Sequence, residues 1–301
     1  MSVLVVGSIA LDTVRTRRET RTEVLGGSCT YFAVAASLLS PVRVVSVVGG
    51  DFPRAHIDLL RSRPVDLAGL SVRNGERTFR WAGTYAEDMN DRTTDDLQFG
   101  VLASFDPVLP PAYRDTPFVF LANAHPSLQG KVLDQMRSRP VALCDTIDHY
   151  IRTEPEAVRA VLARVDGAIL NDAEARLLTG ETNTVAAAGA LLETGPRFAI
   201  VKKGEHGALL ACGEGIFSVP AFPLGRVVDP TGAGDAFAGG VMGCLAREGS
   251  ADIPTLRKAL AYGTAAASFT CEDFSLDRLA RVRPEELEAR VAAFREMVRI
   301  P

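Results

Sequence analysis

The sequence is poor in the residues that build disulfide frameworks and metal clusters. Its five cysteines are scattered, odd in number and never spaced as Cys-x-x-Cys, and its four histidines are equally dispersed. This argues against a disulfide framework and against a zinc site. No apolar run reaches the roughly 18 residues of a membrane-spanning helix, and the N-terminus lacks the basic stretch of a signal peptide. We therefore expect a cytoplasmic protein in a reducing compartment.

An excess of charge of one sign is also missing. The 33 basic residues face 37 acidic ones, which gives a net charge of −4, so neither nucleic acid nor an anionic membrane is an expected partner. Hydrophobic residues make up 47% of the chain and charged residues 23%, as is typical of a globular protein with a full core. Since there is no internal repeat or long linker, we predict one domain over residues 1–301.

Short apolar runs alternate with helical patterns along the chain. Such runs are typical of buried parallel strands, and the alternation predicts an α/β fold with helices on both faces of the sheet. Ligands then belong at the carboxyl ends of the strands. The predicted strands are 3–6, 44–48, 118–121, 141–144, 168–170 and 198–201.

Two helices can be placed from their sequence patterns. Thr153 and Glu156 have capping-box spacing before a helix over 157–165. Near the C-terminus, four apolar residues fall on one face of a predicted helix. They are Leu287, Val291, Phe294 and Val298.

Two segments depart from the strand–helix alternation. Residues 13–24 are rich in Thr and Arg, and residues 78–85 place Phe79, Trp81 and Tyr85 on one face and polar residues on the other. This alternation predicts half-exposed antiparallel strands. A small β-sheet projecting from the main domain accounts for both segments, and an ordinary edge hairpin is the alternative.

The most informative segment is 229–240, which reads DPTGAGDAFAGG. A helix that starts within it would point free N–H groups and a positive dipole end at an anion, most often phosphate. Gly232 and Gly234 would let the backbone approach phosphoryl oxygens. Asp235 is placed to take a proton from an attacking hydroxyl, so the segment holds the parts that phosphoryl transfer to an alcohol requires. The alternative is a glycine-rich tight turn without chemistry.

This segment resembles the second signature of the ribokinase-like (PfkB) carbohydrate kinases nearly letter for letter. The resemblance implies a three-layer α/β/α sandwich with a mostly parallel sheet and a β lid formed by about 13–24 and 72–95. It also implies transfer of the ATP γ-phosphoryl to a hydroxyl, with Asp235 as general base and Mg²⁺ bridging the phosphates. The N–H groups of Ala233, Gly234 and Asp235 would form the anion hole, and any monovalent-cation requirement stays open.

An acceptor site is expected near the first strand. Asp12 follows that strand, and a carboxylate there can accept hydrogen bonds from adjacent hydroxyls. In the family resembled, an Asp at this position and a Gly-Gly pair hold the sugar, which implies the same for Asp12, Gly26 and Gly27. Many members carry Asn shortly after the pair, whereas this chain has none there, and Tyr31 either stacks on the acceptor or belongs to the core. Asn123 follows another strand and is a further candidate acceptor contact.

Asn171 and Glu174 allow two interpretations. Their spacing is that of a helix capping box, and it also matches the family's Asn-x-x-Glu motif. There Glu organises Mg²⁺ through water, and Asn lies near the phosphates. The resemblance assigns further residues to the nucleotide: Lys203, Gly204, Gly207, Thr231, Gly263 and Ala266. Asp145 follows a strand, as Asn123 does, and is a candidate contact for substrate or phosphate. The roles of Asp51, Asp145 and Asp148 stay open.

The sequence leaves the acceptor open. A sugar or sugar-like molecule is the first hypothesis, and a nucleoside is the alternative within the same fold because the predicted lid carries aromatic residues. A non-catalytic sugar or nucleotide sensor is the alternative from another class. A dinucleotide-dependent oxidoreductase is disfavoured because the glycines are not spaced G-x-G-x-x-G after the first strand. Exposed lid strands also suggest a homodimer.

Overall fold

A computed structural model describes residues 1–299 of the chain. The strands are β1 (Val3–Val6), β2 (Ala10–Arg15), β3 (Thr20–Gly26), β4 (Val42–Gly49), β5 (Val65–Arg73), β6 (Phe79–Tyr85), β7 (Arg92–Gln98), β8 (Phe118–Leu121), β9 (Val141–Cys144), β10 (Gly167–Asn171), β11 (Phe198–Lys202), β12 (Ala208–Cys212) and β13 (Gly215–Val219). The helices are α1 (Ser28–Ala36), α2 (Arg54–Arg61), α3 (Pro126–Gln135), α4 (Asp148–Thr153), α5 (Pro155–Leu162), α6 (Asp172–Thr179), α7 (Thr184–Glu193), α8 (Ala233–Glu248), α9 (Ile253–Thr270) and α10 (Pro284–Met297).

Nine strands form the main sheet in the order β13-β12-β11-β10-β9-β8-β1-β4-β5. Within this order, the seven strands β11, β10, β9, β8, β1, β4 and β5 pair in parallel. β12 and β13 extend the sheet beyond β11 by antiparallel pairing. A hydrophobic core lies on each face of this sheet. In β1, Val3 and Val5 pack into the core on one face, and Leu4 and Val6 pack into the core on the other. Each face is covered by helices, so the predicted three-layer α/β/α sandwich is confirmed.

The helix α8 packs unusually close to its neighbours because of its glycines. A Cβ atom on Gly239 would lie 2.4 Å from the carbonyl oxygen of Phe32 in α1, and one on Gly240 would lie 2.6 Å from that of Tyr262 in α9. The small residues after Asp235 therefore serve helix packing, and α8 lies against the central strands β1 and β8. None of the helices within residues 1–299 is long and apolar enough to cross a membrane.

The second sheet has four strands in the order β3-β2-β6-β7, and we call it the lid. β2 pairs antiparallel with β3, and β6 pairs antiparallel with β7, but β2 and β6 are parallel. The expectation of purely antiparallel pairing was therefore wrong for the central pair, because β2 and β6 come from separate excursions of the chain. Asp12 faces Trp81 across this pair, so both side chains lie on the same face of the lid.

Two details of the helix predictions were wrong. Thr153 caps no helix; it ends α4, and its Oγ1 donates to the carbonyl oxygen of His149 at 2.9 Å. α5 begins instead at Pro155, whose fixed φ suits the first turn of a helix. In α10 the predicted apolar face is buried except at Val298, which follows the last turn and is 39% exposed.

Candidate active site

The N-terminus of α8 presents free backbone donors. Gly232 is the N-cap residue in the left-handed region, with φ 74°, and its carbonyl accepts from Ala236 N at 2.8 Å. The N–H of Ala233 donates to Pro230 O at 3.1 Å. Within residues 1–299, the N–H groups of Gly234 and Asp235 have no hydrogen-bond acceptor. These two donors and the helix dipole can bind an anion, and we call this helix start the anion site. The N–H of Ala233, which we also expected there, already donates to Pro230 O.

The loop before α8 is held by a fully buried carboxylate. Asp229 Oδ1 accepts from Thr231 N at 2.8 Å, and its Oδ2 accepts from Ser275 N at 3.0 Å. Burial raises the pKa of Asp229, and these hydrogen bonds oppose the rise. Asp229 therefore ties the loop to the turn that follows α9.

Gly232 has a second structural reason to be glycine. A Cβ atom at this position would lie 2.3 Å from the ring of Tyr31. Tyr31 is 1% exposed, so its ring belongs to the core beneath the loop, which decides between the two interpretations of this residue. The space that Gly232 leaves open is thus filled by the protein itself.

Asp235 lies in the first turn of α8 and is half-buried. Burial raises its pKa to about 7, the charges of Lys202 and Arg92 oppose this shift, and that of Asp145 adds to it. A carboxylate with a pKa near neutrality is suited to accept a proton in general base catalysis. The predicted base therefore stands next to the free donors of the anion site.

Lys202 is a site residue that sequence reasoning missed. Its Nζ lies 2.7 Å from Asp145 Oδ2, and a Cβ atom on Gly234 would lie 3.3 Å from the same Nζ. Burial alone would lower the pKa of Lys202, but the carboxylates of Asp145, Glu174 and Asp235 outweigh it and raise the pKa. The neighbouring Lys203, which we assigned to the nucleotide, is half-buried, and its role stays a prediction.

A signal for Lys202 was present in the sheet pattern. Lys202 is the last residue of β11 and pairs with Asn171, the last residue of β10. Asp145 directly follows β9. Polar residues at the carboxyl ends of neighbouring parallel strands converge on one crevice, so the final residue of the strand was the better candidate than the residue after it.

Asn171 and Glu174 form a capping box at the start of α6. Asn171 Oδ1 accepts from Glu174 N, and Glu174 Oε2 accepts from Asn171 N, each at 2.8 Å. Burial raises the pKa of Glu174 to about 8; the charge of Asp145 adds to the rise and that of Lys202 opposes it. A nearby cation would oppose this shift and favour the ionised form of Glu174.

A magnesium ion fits this site only in one way. In the described part of the chain, no three His, Cys, Asp or Glu side chains converge on a common point. Mg²⁺ commonly keeps several waters and takes its remaining ligands from phosphates. The residues present fit that mode, with Glu174 acting through water.

The acceptor side of the candidate site centres on Asp12, which is 4% exposed. A Cβ atom on Gly26 would lie 1.9 Å from Asp12 Oδ2, and Gly27 is the N-cap of α1 with φ 92°. Asp12 Oδ1 is buried without a hydrogen-bond partner among residues 1–299. Burial and the charge of Asp229 raise the pKa of Asp12 to about 8. Buried polar atoms are normally hydrogen-bonded, and a hydroxyl of the acceptor would supply the missing donor for this oxygen.

The structure gives less information on the roles of Asn123, Gly204 and Gly207. Asn123 follows β8 and is half-buried. Gly204 and Gly207 both have positive φ in the turn after β11, and a Cβ atom on Gly207 would lie 2.1 Å from Val219 O. The lid reaches this turn, since Asn90 Nδ2 donates to Glu205 Oε1 at 3.2 Å.

Gly263 and Ala266 lie in the contact between α8 and α9. A Cβ atom on Gly263 would lie 2.9 Å from Phe237 O, and Ala266 is fully buried. Helix packing accounts for both small residues. Their contact with adenine stays a prediction.

The lid rests on the loop that precedes α8. Val14 and Tyr85 from the lid pack with Phe274 in a small apolar cluster that Met89 and Val228 border. The hydroxyl of Thr231, in the loop, is hydrogen-bonded to that of Tyr85. The lid therefore contacts the loop of the anion site directly. The sequence predicted Tyr85 on one face of a lid strand but did not predict its contact with this loop.

Asp51 and Asp148 are acidic residues without an assigned role, and Asp51 has structural partners. Asp51 Oδ1 accepts from Thr78 N at 2.8 Å, and its Oδ2 pairs with Arg80 at 2.8 Å. Burial would raise the pKa of Asp51, but these hydrogen bonds lower it overall. Asp148 begins α4 and is exposed. Asp51 thus anchors the start of β6.

Comparisons with known proteins agree with this geometry. The sequence matches the pfkB family carbohydrate kinases over residues 2–279. It is 28% identical to a cytidine kinase of Thermococcus kodakarensis over 258 residues, covering 82% of this chain and 89% of that protein.

Solved structures share the fold. An E. coli protein described as a ribokinase II, in complex with ATP and Mg²⁺, superposes with a TM-score of 0.81 at 22% identity and covers 97% of this chain and 99% of its own. A Burkholderia thailandensis nucleoside kinase in complex with inosine gives a TM-score of 0.77 at 20% identity, with 97% of both chains covered. The family match spans nearly the whole sequence, and the chain therefore belongs to the pfkB family of carbohydrate kinases.

Proposed function

We propose that the protein transfers the γ-phosphoryl group of ATP to a hydroxyl of a small acceptor, with Asp235 as general base. The observation that carries this proposal is the pairing of a carboxylate of raised pKa with free N–H donors on one helix turn. ATP supplies the phosphoryl group: a P–O bond forms to the acceptor oxygen as the bond to the β–γ bridging oxygen breaks, leaving ADP. Asp235 takes the hydroxyl proton.

The other residues bind and orient. The N–H groups of Gly234 and Asp235 stabilise negative charge at the start of α8. Asp12 accepts hydrogen bonds from acceptor hydroxyls through the carboxylate oxygen that has no partner in residues 1–299. The lid covers this region and excludes water, which would otherwise compete with the acceptor.

The use of ATP and Mg²⁺ is supported by two lines of evidence. An E. coli protein of the same fold carries both ligands. In this chain, Glu174 is a buried carboxyl group whose pKa is raised by burial and by Asp145, and a nearby cation would favour its ionised form. A requirement for a monovalent cation, pairing of two copies through the lid, and a cytoplasmic location stay predictions.

A sugar or sugar-like molecule is the first candidate acceptor, and a nucleoside is the second. The second is favoured by the match to a cytidine kinase along 82% of the chain and by the inosine-bound nucleoside kinase of the same fold. Trp81 lies beside Asp12 on the same face of the lid. Its indole offers a surface on which a base could stack.

The test is release of ADP from Mg-ATP in the presence of single acceptors. The panel contains pentoses, hexoses, their phosphates, polyols, and purine and pyrimidine nucleosides. Acceptor-dependent ADP release supports the kinase, and the acceptor that gives the highest kcat/KM decides between sugar and nucleoside. ATP binding without turnover on any acceptor would instead favour a non-catalytic sensor.

A further inference from the structure

Lys202 carries an incompletely satisfied ammonium group at the anion site. Its side chain is 16% exposed, and Asp145 is its sole hydrogen-bond partner among residues 1–299, with Nζ and Oδ2 2.7 Å apart. An ammonium has three N–H donors, so two of them have no partner in the described part of the chain. A buried cation in this state has capacity for a further anionic ligand.

The position of Lys202 indicates what that ligand is. The ammonium lies next to the place where a Cβ atom of Gly234 would be, 3.3 Å away. Gly234 also contributes one of the two free N–H groups at the start of α8. Backbone donors and a lysine therefore approach one point from α8 and from the end of β11.

The surrounding charges strengthen this argument. The carboxylates of Asp145, Glu174 and Asp235 all raise the pKa of Lys202, so it stays protonated. Without Lys202, an incoming phosphate would meet these carboxylates at close range in a low-dielectric site. Lys202 places a positive charge between these carboxylates and the anion site.

We infer that Lys202 is a catalytic residue that binds the phosphoryl group being transferred, and that Asp145 holds its side chain in place. This inference rests on the proposed kinase function and adds a residue to it. In the transfer, the acceptor oxygen bonds to the γ-phosphorus, the bond to the bridging oxygen breaks with its electrons going to ADP, and Asp235 takes the proton. Lys202 gains and loses no proton in this step and neutralises charge on the phosphoryl oxygens.

The experiment measures nucleotide binding, so it does not depend on turnover. Calorimetry gives the affinities of the wild-type protein for Mg²⁺ with a non-hydrolysable ATP analogue and for Mg²⁺ with ADP. Lys202→Met is compared with Lys131→Met, which removes a surface lysine paired with Asp106 at a similar distance of 2.7 Å. The γ-phosphoryl group is present only in the analogue, so the ratio of the two affinities isolates its contact.

The expected result is selective. Lys202→Met lowers the affinity for the analogue about 10- to 100-fold, the range for a hydrogen bond to a charged group. The affinity for ADP falls by less than about threefold, and Lys131→Met changes neither by more than about twofold. Equal loss of both affinities, or no loss in a folded variant, overturns the inference.

A second variant keeps the inference testable if Lys202→Met fails to fold. The double change Lys202→Met with Asp145→Asn removes both charges of the ion pair together, so no unpaired charge remains at position 145. It is expected to show the same selective loss, whereas Asp145→Asn alone keeps the ratio within about threefold because its amide oxygen still accepts from the ammonium. If the double variant keeps the wild-type ratio, the inference is wrong. A wild-type protein that binds neither nucleotide would overturn the proposed kinase function itself.

Discussion

The hydroxyl of Thr231 donates to the hydroxyl of Tyr85 across 3.0 Å, and this bond joins the loop before α8 to the lid. Tyr85 is 7% exposed. Burial raises its pKa to about 12, so it remains a neutral phenol at any working pH. The bond couples the position of the lid to the loop that builds the anion site.

Tyr85→Phe is expected to loosen this coupling with little loss of stability. The hydrogen bond is worth about 1 kcal/mol, and kcat/KM should fall about 2- to 10-fold because the lid then closes less often over the acceptor. ADP release without acceptor should rise as water enters. Tyr113→Phe is the matched control, since its hydroxyl donates to Asp66 O at 3.1 Å away from the site. Identical kinetics for the two variants would contradict the coupling.

Gly232→Ala is expected to disrupt both the anion site and the core beneath it. The new Cβ atom would lie 2.3 Å from the Tyr31 ring, and the alanine would have to adopt a φ of 74°. Gly249→Ala is a matched control because its φ is 71° but the nearest atom is the flexible Met1 Cε at 3.4 Å. Thermal unfolding should show a loss of about 1–2 kcal/mol for Gly249→Ala and a clearly larger loss for Gly232→Ala. Equal losses would mean that the Tyr31 contact is unimportant.

Much of the main sheet could be predicted because its strands are buried on both faces. β1, β8 and β9 have the predicted bounds, and β10 and β11 are only one or two residues longer. β5, β12 and β13 were missed. They are edge or near-edge strands, and β5 and β13 have exposed positions that break the apolar run. Hydrophobic pattern therefore identifies the centre of a parallel sheet better than its borders.

The site was predictable where the backbone decides it and less so where side chains from distant segments meet. The start of α8 after Gly232 follows from local sequence, as does the capping box of Asn171 and Glu174. The contact of Lys202 with Asp145 joins residues 57 positions apart. That contact depends on strand order, which the sequence pattern did not contain.

Asp12→Asn is expected to stabilise the protein at alkaline pH while weakening acceptor binding. The pKa of Asp12 is about 8 in the folded protein against 3.8 as its ordinary value. Between these values the folded state binds more protons than the unfolded state, so stability falls as pH rises from about 4 to 8. The variant removes this loss, which is on the order of a few kcal/mol at pH 8. Its melting temperature should exceed that of the wild type by much more at pH 8 than at pH 5, with a raised KM for the acceptor. A variant that is less stable at pH 8 would count against the pKa shift.

The rate of phosphoryl transfer is expected to depend on the ionisation of Asp235. A general base acts in its deprotonated form, and the pKa of Asp235 is about 7. The value of kcat/KM for the acceptor should therefore fall about tenfold per pH unit below about pH 7 and level off above it. The measurement is a pH–rate profile at saturating Mg-ATP. A flat profile between pH 5.5 and 8.5 is the outcome that this assignment does not allow.

The most direct test of the account is the turnover of Asp235→Asn with the best acceptor of the panel. Asparagine keeps the size of the side chain but cannot accept the hydroxyl proton, so kcat should fall about 10²- to 10⁴-fold. The affinity for Mg²⁺ with a non-hydrolysable ATP analogue should remain within about threefold, because the backbone donors of Gly234 and Asp235 are unchanged. A variant that retains more than about a tenth of the wild-type kcat would contradict Asp235 as the catalytic base.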